Sequence, residues 1–332
     1  MTWDPAWPLK PDVVFEGGNV AKDQQGATGM SSLNLLTTNH RPNERLFTTT
    51  NATSAASALC ARMAAQIMAT YPAQRAETVR ALIVHSARWT PAMRQMYLPA
   101  NAKPTKKDYV NLIRHCGWGM PDLDRALWSA GNSLTLVVED LVHPYGKDDK
   151  RGVVSRDMNL HALPWPKEEL EALGDAEVQL HVTLSYFIEP NPARRGWTRR
   201  FRYASHGLRF DVRRPVESTQ DFRQRLNRLA LAEEEDRPQT ESDADQWFLG
   251  PKERVRGSLH LDVWSGPAAE LAARGCIAVF PVTGWWKEQP KRDRSEYGAR
   301  YCLIVSIESP QVEVDLWTPI AVAANVPIQI ET

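Results

Sequence analysis

The sequence predicts an α/β region followed by an all-β sandwich domain. Apolar residues recur at helical spacing between Asn51 and about Ala130, and the period changes to two after Asn132. The chain has 332 residues, which at ~150 residues per domain corresponds to two domains. We therefore expect one region at 1–133 and a second at 134–332.

Composition narrows the classes of function. Forty Lys and Arg balance forty Asp and Glu, so the strongly basic footprint of a nucleic-acid-binding protein is absent. No run of ~18 apolar residues occurs, which predicts no membrane-spanning helix. The first residues carry no secretory signal pattern, and we expect a cytoplasmic protein.

The four cysteines give no sign of a metal or redox site. They are far apart in the sequence, and no pair has zinc-ligand or redox spacing. Buried free thiols are the favoured interpretation. We expect no cofactor and no metal. The cysteines are Cys60, Cys116, Cys276 and Cys302.

Three segments of the first region have helical patterns. Ser54–Ala69 is rich in Ala, Leu, Met and Ile and ends before Tyr71-Pro72. Ala76–Ala87 has apolar residues at helical spacing and Glu77 in its first turn, where the helix dipole favours an acid. Asp122–Ala130 places three apolar residues on one face, and Gly131 follows as a helix-terminating residue.

The second region alternates between apolar and polar residues, as strands do. Glu177–Ile188 is the clearest case, with six apolar residues on one face and His181 on the other. A charged helix is predicted at Asp221–Glu235, within a charged helical and acidic excursion at about 217–250. The acidic and polar stretch from Glu233 to Asp245 is expected to be mobile. The other predicted strands are Leu134–Val138, Leu208–Val212, Leu259–Val263, Cys276–Val282, Tyr301–Ile307 and Val312–Leu316.

The segment Asn51–Ala58 carries the candidate chemistry. It lies between a Thr-rich extended run and the Ala-rich helix, so Ser54 is placed at a helix N-terminus. Free N–H groups and the positive end of the dipole favour a developing anion there. Those are the requirements of a nucleophilic serine with part of an oxyanion hole. The alternative is that the hydroxyl residues only cap the helix.

Four segments together resemble the subtilisin-like (S8) serine peptidases. Lys10-Pro11-Asp12 resembles the strand that leads toward the family's active serine. Asn51–Ala58 resembles its Asn-Gly-Thr-Ser-x-Ala-Ser-Pro motif, with Ser54 at the serine position and Asn51 and Thr53 beside it. Glu77–Ala87 and Gly117–Ala126 are similar to the later helix and the Gly-x-Gly segment.

The resemblance implies a serine endopeptidase acting on protein or peptide substrates, with Ser54 as its nucleophile. Ala52 and Ala58 replace a glycine and a proline of the motif, and neither change removes the nucleophile. The triad order of the family is Asp, His, Ser, and only 53 residues precede Ser54. We therefore expect the C-terminal portion of a subtilase, whose N-terminal portion supplies the Asp, the His and the oxyanion Asn.

Other interpretations stay open from the sequence. Asp12, Asp23 and His40 precede Ser54 in triad order but fall in segments that match other parts of the family. An inactive pseudo-peptidase that binds a protein or peptide through its sandwich is the alternative function. The sandwich loosely resembles the jelly-roll modules of proprotein-processing subtilases.

Weaker features have ordinary interpretations. Trp285-Trp286 favours core or sheet-edge packing over an exposed recognition surface for carbohydrate. The arginine-rich segment Arg194–Arg228 favours a solvated face, neutralised in part by acids at 233–245, over an anion-binding patch. His181 and His260 are expected to be solvated on polar strand faces. His85 and His115 are expected on a helix face and in a loop.

Overall fold

The computed structural model describes residues 8–127, 133–163, 165, 167–192, 203–235 and 243–308. The first portion contains two hairpins and five helices. A single 3-10 turn, Ser31–Leu33, lies between the hairpins. In chain order its elements are β1 (Val20–Lys22), β2 (Ala27–Gly29), β3 (Leu35–Thr38), β4 (Phe47–Thr50), α1 (Thr53–Thr70), α2 (Ala76–Ser86), α3 (Pro91–Tyr97), α4 (Lys106–Cys116) and α5 (Leu123–Leu127).

The second portion is mixed α/β, with antiparallel sheets and short helices between their strands. A 3-10 turn, Pro290–Arg292, precedes the last strand. In chain order its elements are β5 (Ser133–Val142), β6 (Tyr145–Asp148), β7 (Gly152–Ser155), β8 (Asn159–Ala162), α6 (Lys167–Leu173), β9 (Glu177–Tyr186), β10 (Gly207–Val212), α7 (Thr219–Glu234), α8 (Pro251–Arg254), β11 (Leu259–Pro267), α9 (Ala268–Ala273), β12 (Cys276–Val282), α10 (Trp285–Glu288) and β13 (Ala299–Glu308).

Two antiparallel sheets share one apolar core. The larger sheet has the order β11-β9-β13-β5, and the smaller has the order β10-β12-β8. Val182 and Leu303 of the larger sheet pack in the same buried cluster as Phe210 and Val279 of the smaller one. The predicted alternation of β9 thus reflects a face buried between two sheets.

Helix α2 covers the other face of the larger sheet. Cys302 and Ile304 of β13 join a second buried cluster with Ile67 of α1 and Leu82 of α2. The larger sheet is therefore covered on both faces. Arg80 of α2 adds polar contacts across this layer, since its Nη1 lies 3.3 Å from the carbonyl oxygen of Tyr186 and 3.2 Å from Oγ of Ser258.

The prediction that His181 is solvated is wrong, and so is the prediction for His260. The sheet face that carries His181 lies under α2, which leaves this side chain only 8% exposed. In β11 the register pairs His260 with Leu184 and Trp264 with Leu180, so these residues face the sandwich core. Period-two alternation identifies the two faces of a strand, but it does not tell which face a distant element covers.

Residues 243–249 are packed, and this segment includes 243–245, the described end of the stretch expected to be mobile. Trp247 is buried and forms a bridge to Trp264 of β11. The N–H of Phe248 donates to the carbonyl of Val263 (2.8 Å). The buried Asp262 carboxylate accepts from the N–H groups of Leu249 and Gly250. The segment thus covers the outer edge of β11. Its acid-rich sequence gave no sign of this packing.

Three arginines after residue 203 form ion pairs, whereas Arg223 and Arg228 are exposed, as the solvated-face interpretation predicts. Arg209 contacts Glu233 at 2.7 Å, and Arg214 contacts Asp243 at 3.1 Å. Arg225 contacts Asp211 and Glu217. Neutralisation by acids at 233–245 is confirmed for Glu233 and Asp243, but the pairs are largely buried. Residues 193–202, which carry the other arginines of this segment, lie outside the described residues.

The remaining predicted elements have mixed outcomes. Trp285 and Trp286 are buried, which confirms the packing interpretation. His85 is buried, and His115 lies in α4 rather than in a loop. The third predicted helix is described only as α5. Residues 128–130, Gly131 and the predicted strand Val312–Leu316 lie outside the described residues. The domain boundary near residue 133 stays a prediction.

Within the described ranges, no helix is both long and apolar enough to cross a membrane. All four cysteines are free; Cys116 and Cys302 are buried, and Cys60 and Cys276 are half-buried. The cytoplasmic location stays a prediction.

Candidate functional site

Ser54 lies in the first turn of α1, as its segment predicts. The capping residue is Ala52, which has an extended backbone and no side-chain hydrogen bond to the helix. The hydroxyls of Thr53 and Ser54 therefore do not serve as the cap. The N–H of Ala55 donates to the carbonyl of Ala52 (3.0 Å), whereas the N–H groups of Thr53 and Ser54 have no partner within the helix. Thr53 and Ser54 are exposed to solvent. This arrangement presents a serine hydroxyl beside free N–H donors.

Two glycines hold the segment that precedes Ser54. A side chain at Gly17 would press against the carbonyl of Ala52, and one at Gly18 would press against Asn51. Gly18 also has φ of +91°, a conformation that favours glycine. Nδ2 of Asn51 donates to the carbonyl of Asn19 at 2.9 Å. Asn51 thus ties the turn before the serine to this loop.

The Lys-Pro-Asp and Gly-x-Gly segments meet in space although a hundred residues separate them. The N–H of Trp118 donates to the carbonyl of Asp12, and the N–H of Val14 donates to the carbonyl of Gly119. Gly117 and Gly119 have φ of +54° and +100°. A Cβ at either position would overlap a backbone carbonyl, that of Asp12 or that of Arg88. Both glycines are therefore required by close approach as well as by conformation.

The structure does not assemble a triad from the candidates that precede Ser54. Asp12 is ion-paired to Lys10 (2.6 Å) and Arg80 (3.7 Å). The Asp23 carboxylate accepts from N–H groups of its own turn. His40 lies in the turn between β3 and β4. Strand β4, about 10 Å long, runs from this turn to the start of α1 and so separates His40 from Ser54.

No hydrogen bond joins Ser54 to a histidine or a carboxylate among the residues whose structure is described. The same ranges contain no group of three His, Cys, Asp or Glu side chains that could hold a metal ion. Burial, together with the Asp12 carboxylate, raises the pKa of Cys60 of α1, so this thiol stays protonated at neutral pH. Ser54 is left as the nucleophile candidate without a described general base.

An exposed apolar surface extends away from Ser54. On α1 the exposed residues Ser54, Ala58, Ala61, Ala65 and Met68 are spaced four, three, four and three apart, which defines one stripe along the helix. We call it the alanine stripe. A solvent-facing helix normally carries polar residues on such a face.

The hairpin β3–β4, which leads into α1, exposes further apolar side chains. Leu36 is 71% exposed, and Phe47 is 54% exposed. Leu46, beside Phe47, is also exposed. Large apolar side chains in such numbers on neighbouring exposed elements are typical of surfaces that another polypeptide covers.

Residues 2–119 match the model of the family described as the subtilase family. This part of the chain is subtilase-like. The match covers the segments with Lys10-Pro11-Asp12, the serine motif and Gly117–Gly119.

The chain is also similar to a longer bacterial protein, the uncharacterized protein y4bN of Sinorhizobium fredii (strain NBRC 101917 / NGR234). The two are 28% identical over 308 residues, which is 90% of this chain and 59% of that protein. The chain thus spans about three-fifths of the length of this curated relative.

A second polar cluster, which sequence reasoning missed, lies between α2 and the larger sheet. His85 of α2 has Nδ1 2.8 Å from Oγ1 of Thr183 and Nε2 2.8 Å from Oγ of Ser306. Beside it, Arg88 and Arg125 both contact the carboxylate of Glu308. Its members come from four distant parts of the sequence. His85 and Arg125 lie in segments that carry the family resemblance, but nothing in those segments marks them as a cluster. The helical position of His85 was the only available signal.

Burial keeps the histidines of this cluster neutral. Desolvation, with His181 and Arg88 adding to it, holds the pKa of His85 well below its usual range. Desolvation and the same arginine lower the pKa of His181 to about 3. At neutral pH the charges of the cluster are therefore those of Arg88, Arg125 and Glu308.

Proposed function

We propose that this chain is the serine-bearing portion of a subtilisin-like serine endopeptidase. Ser54 attacks the scissile carbonyl and forms the acyl-enzyme, and its backbone N–H is one donor of the oxyanion hole. The observation that carries the proposal is the exposed position of Ser54 in the uncapped first turn of α1, within the segment that matches the subtilase model.

The catalytic Asp, the catalytic His and the oxyanion Asn come, in this proposal, from another subtilase segment. A serine without a general base is a weak nucleophile, because its hydroxyl proton has no acceptor in the transition state. The alanine stripe supports a docked partner, since small side chains let a second backbone approach closely. The exposed Leu36 and Phe47 supply apolar area for the same contact.

The second portion acts as an accessory module in this proposal. It follows the peptidase-like region from about residue 134. Its four-stranded and three-stranded antiparallel sheets, which share one apolar core, support this role. Its large contact with α2 fixes the helix that packs beside α1. We propose that it stabilises the peptidase-like region and limits substrate access.

The competing function is a protein-binding or peptide-binding pseudo-peptidase. The isolation of Ser54 from any described histidine favours it. In that function the docked segment would bind without restoring catalysis, so the two functions make opposite predictions for the same complex.

Hydrolysis by a reconstituted complex distinguishes these functions. The chain is co-expressed with the complementing segment, which we define as a subtilase segment that carries the Asp and His motifs of the family. Cleavage of casein is expected from the complex but not from the chain alone. Ser54→Ala should lower the rate of casein cleavage by the complex more than 1000-fold. It should leave the binding of the complementing segment unchanged.

Ser57→Ala is the matched control. Ser57 lies three residues after Ser54 on α1 and is also exposed. Its hydroxyl donates to the carbonyl of Thr53 at 3.0 Å. It should leave cleavage within a few fold. An inactive complex that binds peptide tightly would support the pseudo-peptidase and contradict the endopeptidase.

A further inference from the structure

A further polar network, which we call the tyrosine relay, connects the two sheets of the second portion. It consists of Asp140 of β5, Tyr301 of β13, and Asn159 and His161 of β8. Oη of Tyr301 lies 2.7 Å from Nε2 of His161 and 3.5 Å from Oδ2 of Asp140. It also accepts from Nδ2 of Asn159 at 3.0 Å. The relay therefore joins β5 and β13 of the larger sheet to β8 of the smaller one.

The distances fix the direction of the hydrogen bond that Tyr301 donates. Tyr301 is fully buried, so its hydroxyl proton needs an acceptor within the protein. Nε2 of His161 is at a normal hydrogen-bond distance, whereas Oδ2 of Asp140 is at the limit and already accepts from Asn159 at 2.9 Å. Nε2 is therefore the acceptor, and the proton of neutral His161 lies on Nδ1.

Uptake of a proton by His161 reverses this arrangement. Both ring nitrogens of a protonated imidazole are donors, so Nε2 then donates to Oη of Tyr301. The hydroxyl proton of Tyr301 has to turn to another acceptor, which among the residues that the structure describes is Oδ2 of Asp140. One proton enters at Nε2 from the solvent, and none leaves the network.

We propose that the tyrosine relay is a proton-responsive switch, in which Tyr301 donates to neutral His161 and to Asp140 once His161 is protonated. The protonated form keeps the bond between the sheets and adds one between β13 and the edge strand β5. Its bonds run from an imidazolium to a carboxylate, and such charge-assisted hydrogen bonds are stronger than neutral ones. The relay shares no residue with Asn51–Ala58, so it is independent of the chemistry proposed for Ser54.

The groups that face His161 determine when the switch operates. Burial lowers the pKa of His161, and the Asp140 carboxylate opposes this effect. Tyr301 keeps its proton because burial raises its pKa. Strand β12, which pairs with β8, contributes no charged side chain, and burial raises the pKa of its Cys276 thiol. The switch therefore operates in acid, below the usual range of a histidine, and Asp140 is the charge that couples to it.

NMR spectroscopy of the full chain tests the direction of the hydrogen bond. The nitrogen chemical shifts of the imidazole report which ring atom carries the proton. At about pH 8, where histidine is neutral, we expect the proton of His161 on Nδ1 and none on Nε2. A neutral His161 with its proton on Nε2 would overturn the proposal, because Tyr301 would then donate to Asp140 in both forms.

Asp140→Asn measures the coupling, since it removes the charge and keeps the size of the side chain. The midpoint of the His161 titration should fall by about one pH unit, which is a tenfold loss of proton affinity. Asp149→Asn, which changes an exposed residue in the turn between β6 and β7, is the matched control and should leave the midpoint unchanged. A midpoint that Asp140→Asn does not move would contradict the switch.

Tyr301→Phe keeps the buried ring and removes the hydroxyl that links the two groups. In this background Asp140→Asn should shift the midpoint of His161 by less than half as much as in the native chain. An equal shift in both backgrounds would show that Tyr301 carries no coupling and would overturn the proposal. The tautomer of His161 in the native chain provides the decisive measurement should Tyr301→Phe fail to fold.

Discussion

At the scale of single residues, the sequence predicts positions that depend on local chemistry. Ser54 in the first turn of a helix follows from an Ala-rich segment behind a Thr-rich strand. Gly117 and Gly119 were singled out only as part of a Gly-x-Gly segment, and their close approach to the carbonyls of Asp12 and Arg88 comes from the structure. The burial of His181 and His260 was not predictable in this way. It depends on α2 for His181 and, for His260, on the strand register that turns this side chain toward the sandwich core.

Replacing Gly119 with alanine should destabilise the protein by more than about 3 kcal/mol. A residue other than glycine is strained by about 1–3 kcal/mol in a backbone conformation with positive φ. The new Cβ would also overlap the Arg88 carbonyl. Urea unfolding measures the change. Gly152→Ala is the matched control, since Gly152 has φ of +78° but no atom within 4 Å of a new Cβ. Equal losses in the two variants would show that close approach is unimportant at Gly119.

Stability should fall as the pH is lowered from about 6.5 to 5, because the buried histidines titrate abnormally. Burial lowers the pKa of His181 to about 3, so the unfolded chain binds protons in a range in which the folded protein does not. The folded state therefore has its full stability above the pKa that His181 has in the unfolded chain. It loses stability as the pH falls toward the lower pKa that His181 has in the folded protein. For one such histidine the loss between pH 7 and pH 5 is about 2 kcal/mol.

His181→Gln should reduce this loss by about 2 kcal/mol in unfolding experiments at the two pH values. His115→Gln, which changes an exposed histidine on α4, serves as the matched control. An identical pH dependence in the native chain and His181→Gln would contradict the account of this residue.

At the scale of elements, long periodic segments were predicted well and short ones were missed. The predicted helix Ser54–Ala69 and strand Cys276–Val282 correspond to α1 and β12 within one residue. Helix α4 was missed because its charged sequence hides its buried face, although a capping box at Thr105 and Asp108 marks its start. Strands β6 and β7 are only four residues each, too short for a periodic signal.

The alanine stripe provides a prediction at this scale. Ala65→Lys introduces a charge on an exposed position of α1, so the unfolding free energy of the chain should change by less than about 0.5 kcal/mol. Its affinity for the complementing segment should fall at least tenfold, since a buried unpaired charge opposes docking. Surface plasmon resonance with the immobilised chain measures the affinity.

Val216→Lys is the control for the alanine stripe, because Val216 is 100% exposed and lies before α7. It should leave the affinity unchanged. Equal weakening by both lysine variants, or by neither, would place the docking surface elsewhere.

At the scale of the whole molecule, the larger sheet joins the subtilase-like portion to the second portion. Its inner face packs on the smaller sheet and its outer face on α2. The antiparallel architecture was predictable from alternation along the chain. The helical layer over β9 and β13 was not, because strand periodicity carries no information about which helix covers a polar face.

Labelling of Ser54 with a fluorophosphonate tests the central claim most directly. This reagent reacts stoichiometrically with a serine that a general base activates. We predict little labelling of the chain alone, stoichiometric labelling after addition of the complementing segment, and none in Ser54→Ala with that segment. Stoichiometric labelling of Ser54 in the chain alone would contradict the account, because it would require a general base within this chain.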